Sequence, residues 1–218
     1  MKLNVARFIE RTASEGPGWR ASIWVQGCPI LCIGCCNPHM LPFVDRQWID
    51  AEEVAARVLE IKDIEGVTFV GGEPFAQAQA VAQVAKIVRT ANLSVVVFSG
   101  YTYQQLTSND DPAWADLLAQ IDLLLAGPYL QDLYTTQRPW VGSSNQTYHF
   151  LTARYQHFTE QLALPNTVEL RLTPDGHLEL NGFAFAGMLP ALRKALNDRG
   201  VRVQTVKSGD ETVLDSDH

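Results

Sequence analysis

The chain has 218 residues, 46% of them hydrophobic, and a formal net charge of −7. That is enough to bury one good core, and no linker or repeat argues for two independently folded halves. The acidic balance, with no basic cluster, speaks against nucleic acid or an anionic membrane as a target, and no apolar run is long enough to span a bilayer. Residues 1–20 carry charges throughout and lack the apolar stretch of a secretory signal, so a cytoplasmic location is expected. Glycines at 16 and 18 then lead into residues 22–25, a short apolar run with strand character.

Directly behind that run stand all four cysteines of the chain: Cys28, Cys32 and Cys35 in a C-x3-C-x2-C spacing, with Cys36 adjacent. Residues 51–61 follow with Val54, Val58 and Ile61 at helical spacing and acidic residues at the start. Residues 67–70 read as a strand that ends in Gly71-Gly72-Glu73-Pro74, and residues 76–89 repeat the helical stripe. The β-branched run 94–98 is expected to be a strand covered on both faces, and it ends in Ser99-Gly100. A short helix over 113–120 and a buried strand over 123–126 come next, and then the polar segment Gly142-Ser143-Ser144-Asn145-Gln146. Strands alternating with helices predict an α/β fold around a parallel sheet. Beyond residue 151, residues 167–180 read as a β-hairpin around Asp175-Gly176, and a helix is expected from about 184 to 198 with Gly200 as its stop. The acidic residues 210–218 are expected to fray.

The cysteine spacing limits the chemistry. A structural zinc site usually takes two separated pairs of ligands, and no second pair exists here. Adjacent Cys35 and Cys36 would chelate one small ion only with strain. Disulfides fit poorly in a chain without a secretory signal. A cubane iron-sulfur cluster fits better, because three thiolates on a short loop can wrap one face and leave a fourth iron open for another ligand.

These motifs together resemble the radical S-adenosylmethionine (SAM) superfamily, and within it the glycyl-radical-enzyme activases, notably those of anaerobic ribonucleotide reductase. The resemblance rests on the glycine-rich entry at 16–20, the cysteine spacing, Gly71-Gly72-Glu73-Pro74, the strand and spacer from 121 to 133, and Gly142-Ser143-Ser144-Asn145-Gln146. It covers residues 6–151. It implies a partial (β/α) barrel, open on one side, formed by residues 1–151. Residues 152–218 would be an extension of hairpin plus helix packed on it, with an acidic tail from about 208.

It further implies a [4Fe-4S] cluster held by Cys28, Cys32 and Cys35, with SAM on the open iron. Gly71, Gly72, Glu73 and Pro74 would receive the SAM amino group through backbone carbonyls, Gly34, Cys35 and Cys36 would line the adenine side through backbone contacts, and Ser99 would reach its carboxylate or ribose. No general acid or base is needed for hydrogen-atom abstraction, so no catalytic side chain is assigned, and His39, Asn37 and Tyr101 are read as neighbours of the loop. The implied partners are a glycyl-radical enzyme and a reduced flavodoxin or ferredoxin-like electron donor.

Three departures bear on this expectation. Cys36 stands where a ring is usual, Ala126 where an acidic residue is common, and the chain continues well past the activase length. Two other readings follow: a radical SAM enzyme acting on a small molecule or another peptide, and a non-enzymatic iron-sulfur electron carrier. The carrier ranks last, since it needs neither the glycine pair nor an open iron.

Overall fold

The computed structural model describes residues 1–173, 176, 178–182, 187–208 and 211–217. Strand β1 (Lys2–Thr12) pairs antiparallel with β2 (Arg20–Val25) on one side and with β3 (Gln47–Asp50) on the other. After β3 the chain alternates through α1 (Ala51–Glu60), β4 (Gly66–Gly71), α2 (Ala78–Thr90) and β5 (Ser94–Ser99). Two short helices, α3 (Tyr103–Thr107) and α4 (Pro112–Leu118), lead to β6 (Leu123–Ala126), and β7 (Thr147–Phe150) completes the sheet.

The resulting order is β3-β1-β2-β4-β5-β6-β7, with β2, β4, β5 and β6 mutually parallel and β7 antiparallel to β6. The α/β class and the parallel centre agree with expectation. The sheet is mixed and has two edges, β3 and β7, and its hydrogen bonding does not describe a barrel. Charged Arg7, Glu10 and Arg11 hide β1 in the sequence. Its strand character lies in the alternation that buries Leu3, Val5 and Ile9, broken by irregular register after Val5 and after Ile9.

Helices α1 and α2 cover one face of this sheet. Val54, Val58, Val81 and Val84 pack there against strand residues such as Ile23 and Phe69, all essentially buried. On the other face Val96, Leu123 and Leu125 meet Trp140, Val141 and Tyr155. With both faces covered, the central residues 95–98 of β5 and all of β6 are apolar, which explains their unbroken runs.

A guanidinium is embedded in the core. Arg20 is completely buried and donates to Thr68 Oγ1 (2.8 Å), Ser94 Oγ (2.9 Å), Tyr155 Oη (3.0 Å) and the carbonyls of Pro17 (3.0 Å) and Val67 (2.8 Å). Among the described residues its charge meets no carboxylate directly; Tyr155 Oη relays it by donating to Glu65 at 3.0 Å. So many neutral acceptors make burial of a guanidinium tolerable.

A second, antiparallel sheet is built from β8 (Val168–Leu172), β9 (Leu178–Gly182), β10 (Arg202–Ser208) and β11 (Glu211–Asp217), with α5 (Met188–Asn197) between β9 and β10. Its order is β10-β11-β9-β8. β8 and β9 form the expected hairpin, with Leu172 opposite Leu178. Asp175, His177, Ala184, Asp210 and His218 lie outside the described residues. Gly200, at φ +83°, follows α5 as expected of a stop. The acidic tail departs from expectation: most of it is β11, paired along its length with β10. Thr212-Val213-Leu214 within the acidic run supplies the strand propensity. The two sheets meet where Asn181 Nδ2 donates to Thr12 Oγ1 (2.9 Å) and Ser14 Oγ (2.8 Å), while Thr12 Oγ1 also donates to Glu169.

Candidate functional site

The C-terminal ends of β2, β4 and β5 converge, and the chemistry-bearing motifs stand on them. After β2 the chain makes a loop that returns to its own start: Gly27 N donates to Met40 O (2.9 Å) and Cys28 N to Leu41 O (3.0 Å). All four cysteines lie within that closed loop. Turning so tightly takes left-handed backbone at Leu31 (φ 54°) and Gly34 (φ 76°).

Cys28 is buried, Cys32 and Cys35 are half-buried and Cys36 is exposed. Cys28 and Cys32 lie close enough to influence each other's ionisation, as do Cys32 and Cys35. Burial pushes the Cys28 and Cys32 thiols up, while amide N–H groups oppose it, those of Ile30 and Leu31 at Cys28 and that of Tyr129 at Cys32. Cys35 is held down to about 6, chiefly by its hydrogen bond with the Cys36 thiol, and its sulfur accepts from Asn37 N at 3.4 Å. The adjacent thiols therefore interact rather than diverge. Among the described residues no three His, Cys, Asp or Glu side chains close on a single-ion position. Three consecutive thiols, each met by backbone N–H donors, are the donor set that iron-sulfur ligation uses.

The glycine pair after β4 serves close backbone contact with the β2 end. Gly72 N donates to Val25 O (2.7 Å) and Glu73 N to Gly27 O (2.9 Å), one residue before Cys28. A Cβ at Gly72 would stand 2.4 Å from Gly27 O. Pro74 opens a short 3-10 turn that leads into α2.

Glu73 is completely buried, and its side chain faces inward. Its carboxylate accepts from Phe75 N (2.9 Å), Ser99 Oγ (3.0 Å) and Gly100 N (2.8 Å). Burial pushes its carboxyl up to about 7 against those three donors. Ser99 thus spends its proton on Glu73 and accepts from Tyr101 N (3.1 Å), so its hydroxyl latches β5 to the β4 end. Gly100 lies against Ile30 of the cysteine loop, where a Cβ would come within 2.6 Å of Cδ1. Tyr101 packs its ring on Trp114, with centroids 4.8 Å apart.

The structure brings Gly71, Gly72, Glu73, Pro74 and Ser99 together beside the loop of Cys28, Cys32, Gly34, Cys35 and Cys36. It also places part of the 121–133 spacer beside the loop, a position that nothing in the sequence signalled. Residues 128–131 run past the cysteine loop, with Gln131 Oε1 and Tyr129 Cε1 lying 2.9 and 3.4 Å from where a Gly34 Cβ would stand. The segment Gly142-Ser143-Ser144-Asn145-Gln146 braces that strap from behind: Asn145 Nδ2 donates to Pro128 O (2.8 Å) and Gln146 Nε2 to Gly127 O (3.1 Å). Glu15, buried near β9, is a second group that carries no signal in the sequence.

Several known proteins are similar to this chain. Residues 14–149 match the profile of a family described as a 4Fe-4S single cluster domain. An anaerobic ribonucleoside-triphosphate reductase-activating protein from Vibrio cholerae is 29% identical over 158 residues, covering 69% of this chain and 99% of that protein. Its Escherichia coli counterpart is 28% identical, covering 68% and 99%. A pyruvate formate-lyase-activating enzyme from Clostridium pasteurianum is 27% identical over 117 residues, covering 51% of this chain and 46% of that protein. Among solved structures, QueE from Escherichia coli aligns over 47% of this chain and 54% of its own, with 18% identity and a TM-score of 0.41.

Proposed function

The chain belongs to the 4Fe-4S single cluster domain family, and from that premise we propose that it is a radical SAM activase that installs a glycyl radical on a partner enzyme. The observation that carries the reading is the convergence of three thiols on one loop with the Gly71-Gly72-Glu73-Pro74 segment and the β5 end. When bound, a [4Fe-4S] cluster supplies one electron that splits SAM into methionine and a 5′-deoxyadenosyl radical, which removes hydrogen from a partner glycine.

The chain's own residues hold and enclose. Cys28, Cys32 and Cys35 ligate, and the amides around them offset thiolate charge. Gly71 and Gly72 let the β4 end run against the β2 end, leaving strand-terminal carbonyls for the SAM amino group. Glu73 and Ser99 act one step back, fixing the β4 and β5 ends to each other. Gly34 and Cys36 form the adenine side, and Gln131 and Tyr129 close over the loop against water. The large partner is an anaerobic ribonucleotide reductase-like glycyl-radical enzyme, and the reductant is a flavodoxin or ferredoxin-like protein.

The test is anaerobic reconstitution followed by SAM and dithionite, with 5′-deoxyadenosine as the readout. A normal cluster spectrum with no 5′-deoxyadenosine overturns the reading. A glycyl-radical doublet on a co-purified enzyme, absent with Cys32→Ala, identifies the activase. One observation favours a second reading, a different peptide or small molecule as substrate: the match takes in 99% of the Vibrio cholerae protein but 69% of this chain, so part of this chain has no counterpart in it. Formation of 5′-deoxyadenosine without a doublet on any glycyl-radical enzyme would support it.

A further inference from the structure

We propose that residues 142–146 are positioning residues that press the 128–131 strap onto the cysteine loop, and that this sets how readily the cluster takes up its electron. The inference rests on the cluster ligation proposed above but not on SAM or on any partner.

The contacts on both sides of the strap carry it. On the rear side, besides the Asn145 and Gln146 bonds to the carbonyls of Pro128 and Gly127, Ser143 Oγ accepts from Leu130 N (3.2 Å) and Ser144 N donates to Leu133 O (2.8 Å). The brace is itself rigid. Gln146 Oε1 accepts from Gly142 N (2.8 Å) and Ser143 N (3.1 Å), and Arg138 donates to the carbonyls of Ser144 (2.9 Å) and Gln146 (3.0 Å). At the strap's start, Gly127 N donates to the carbonyls of Ser99 (3.1 Å) and Tyr101 (2.8 Å), so it hangs from the β5 end.

On the front side, Gln131 and Tyr129 fill the space over Gly34, which stands between Cys32 and Cys35, and so cover the cysteine loop. Such cover keeps water from the sulfurs, and its loss lets water stabilise the more negative, reduced state of a cluster, so that reduction becomes easier. None of these brace contacts reaches a cysteine, so the brace acts through the strap.

The test uses the full chain with its cluster reconstituted, Asn145→Ala as the principal variant, and a redox titration followed by electron paramagnetic resonance. Asn145 Oδ1 is buried without a hydrogen-bond partner among the described residues. Truncating the side chain therefore also removes an unpaired acceptor, which favours survival of the fold. At a fixed potential the variant is expected to show a roughly tenfold higher reduced-to-oxidised ratio, ~59 mV for one electron. Faster hydrogen exchange of the Tyr129 amide should accompany it.

Ser143→Ala, which deletes one oxygen, is the second variant should the first not fold. Val58→Ala in the helix-covered core, matched for loss of melting temperature, separates positioning from general weakening. A midpoint unchanged in the brace variants, or moved equally by Val58→Ala, overturns the inference. Absence of SAM cleavage in a chain whose midpoint does respond would instead overturn the activase reading alone.

Discussion

Gly72 shows most directly how a single residue constrains the site. A methyl group at this position would come within 2.4 Å of a backbone oxygen, Gly27 O, which cannot rotate away. Gly72→Ala must therefore push the β4 end off the β2 end, at about 1–3 kcal/mol, the range of overpacking. Denaturant midpoints measure the loss, and a variant as stable as the parent would contradict the described geometry. Because the displaced carbonyl is next to Cys28, a lower yield of cluster on reconstitution is expected as well. In the sequence, Gly71-Gly72 read as open backbone for a ligand. Its first use is contact between two strand ends, which no local pattern reveals.

At the scale of elements, the turn following β7 decides how the core is closed. The 3-10 segment Ala153–Ala163 carries Tyr155, whose ring lies in the apolar cluster against β5 and β6. Its hydroxyl joins Arg20, Ser94 (2.6 Å) and Glu65. Tyr155→Phe keeps the ring and deletes the hydroxyl, leaving a buried guanidinium one acceptor short, so a loss of about 1–3 kcal/mol is expected. Thermal or denaturant unfolding checks this, and Tyr155→Ala should cost more, about 3–5 kcal/mol, because the cluster also loses its packing. A chain ended after Leu151 loses this closure and is expected not to unfold cooperatively. One ended after Asn166 keeps Tyr155 and the bonds of Asn166 to Trp140 N and Val141 O, and should fold. Calorimetry of the two truncations distinguishes them, and equal melting would refute the role of Tyr155.

Across the whole molecule, the seam between the two sheets makes stability depend on pH. Burial pushes the Glu15 carboxyl up to about 8, against the charge of Arg7 and the amide of Gly182, while nearby Glu169 adds to the rise. In the fold this group keeps a proton that the unfolded chain releases near 4.5. Its contribution is full at low pH, declines as pH rises from about 4.5 towards 8, and is level above. Glu15→Gln should remove that decline, so the variant gains on the parent by an amount that grows across this window, on the order of a few kcal/mol. Denaturant midpoints taken through the window test it, and a difference between the two proteins that does not vary with pH would sink the assignment. Truncation after Asn166 removes β9 and should flatten the same dependence.

Much of the fold was legible because its signals are local. Residues 51–61 and 76–89 bury one stripe each, and 95–98 and 123–126 are apolar throughout because helices or Tyr155 and its neighbours cover both faces. The cysteine loop and the glycine pair were legible for the same reason, since spacing within a dozen residues limits what thiols can bind. What stayed hidden depends on contacts between residues far apart in the chain. β1 became a strand by pairing with β2 and β3 despite its charges, and the acidic tail became β11 by pairing with β10. Ser99 stood at the right strand end, but only the fold turned its hydroxyl onto Glu73. By itself the sequence determined the donor set, three thiols and a neighbour on one short loop, because covalent spacing carries that information. Which amides, carboxylates and straps surround those sulfurs was decided only by tertiary structure, because Tyr129, Gln131 and Gly100 reach the loop through folding and share no local pattern with it.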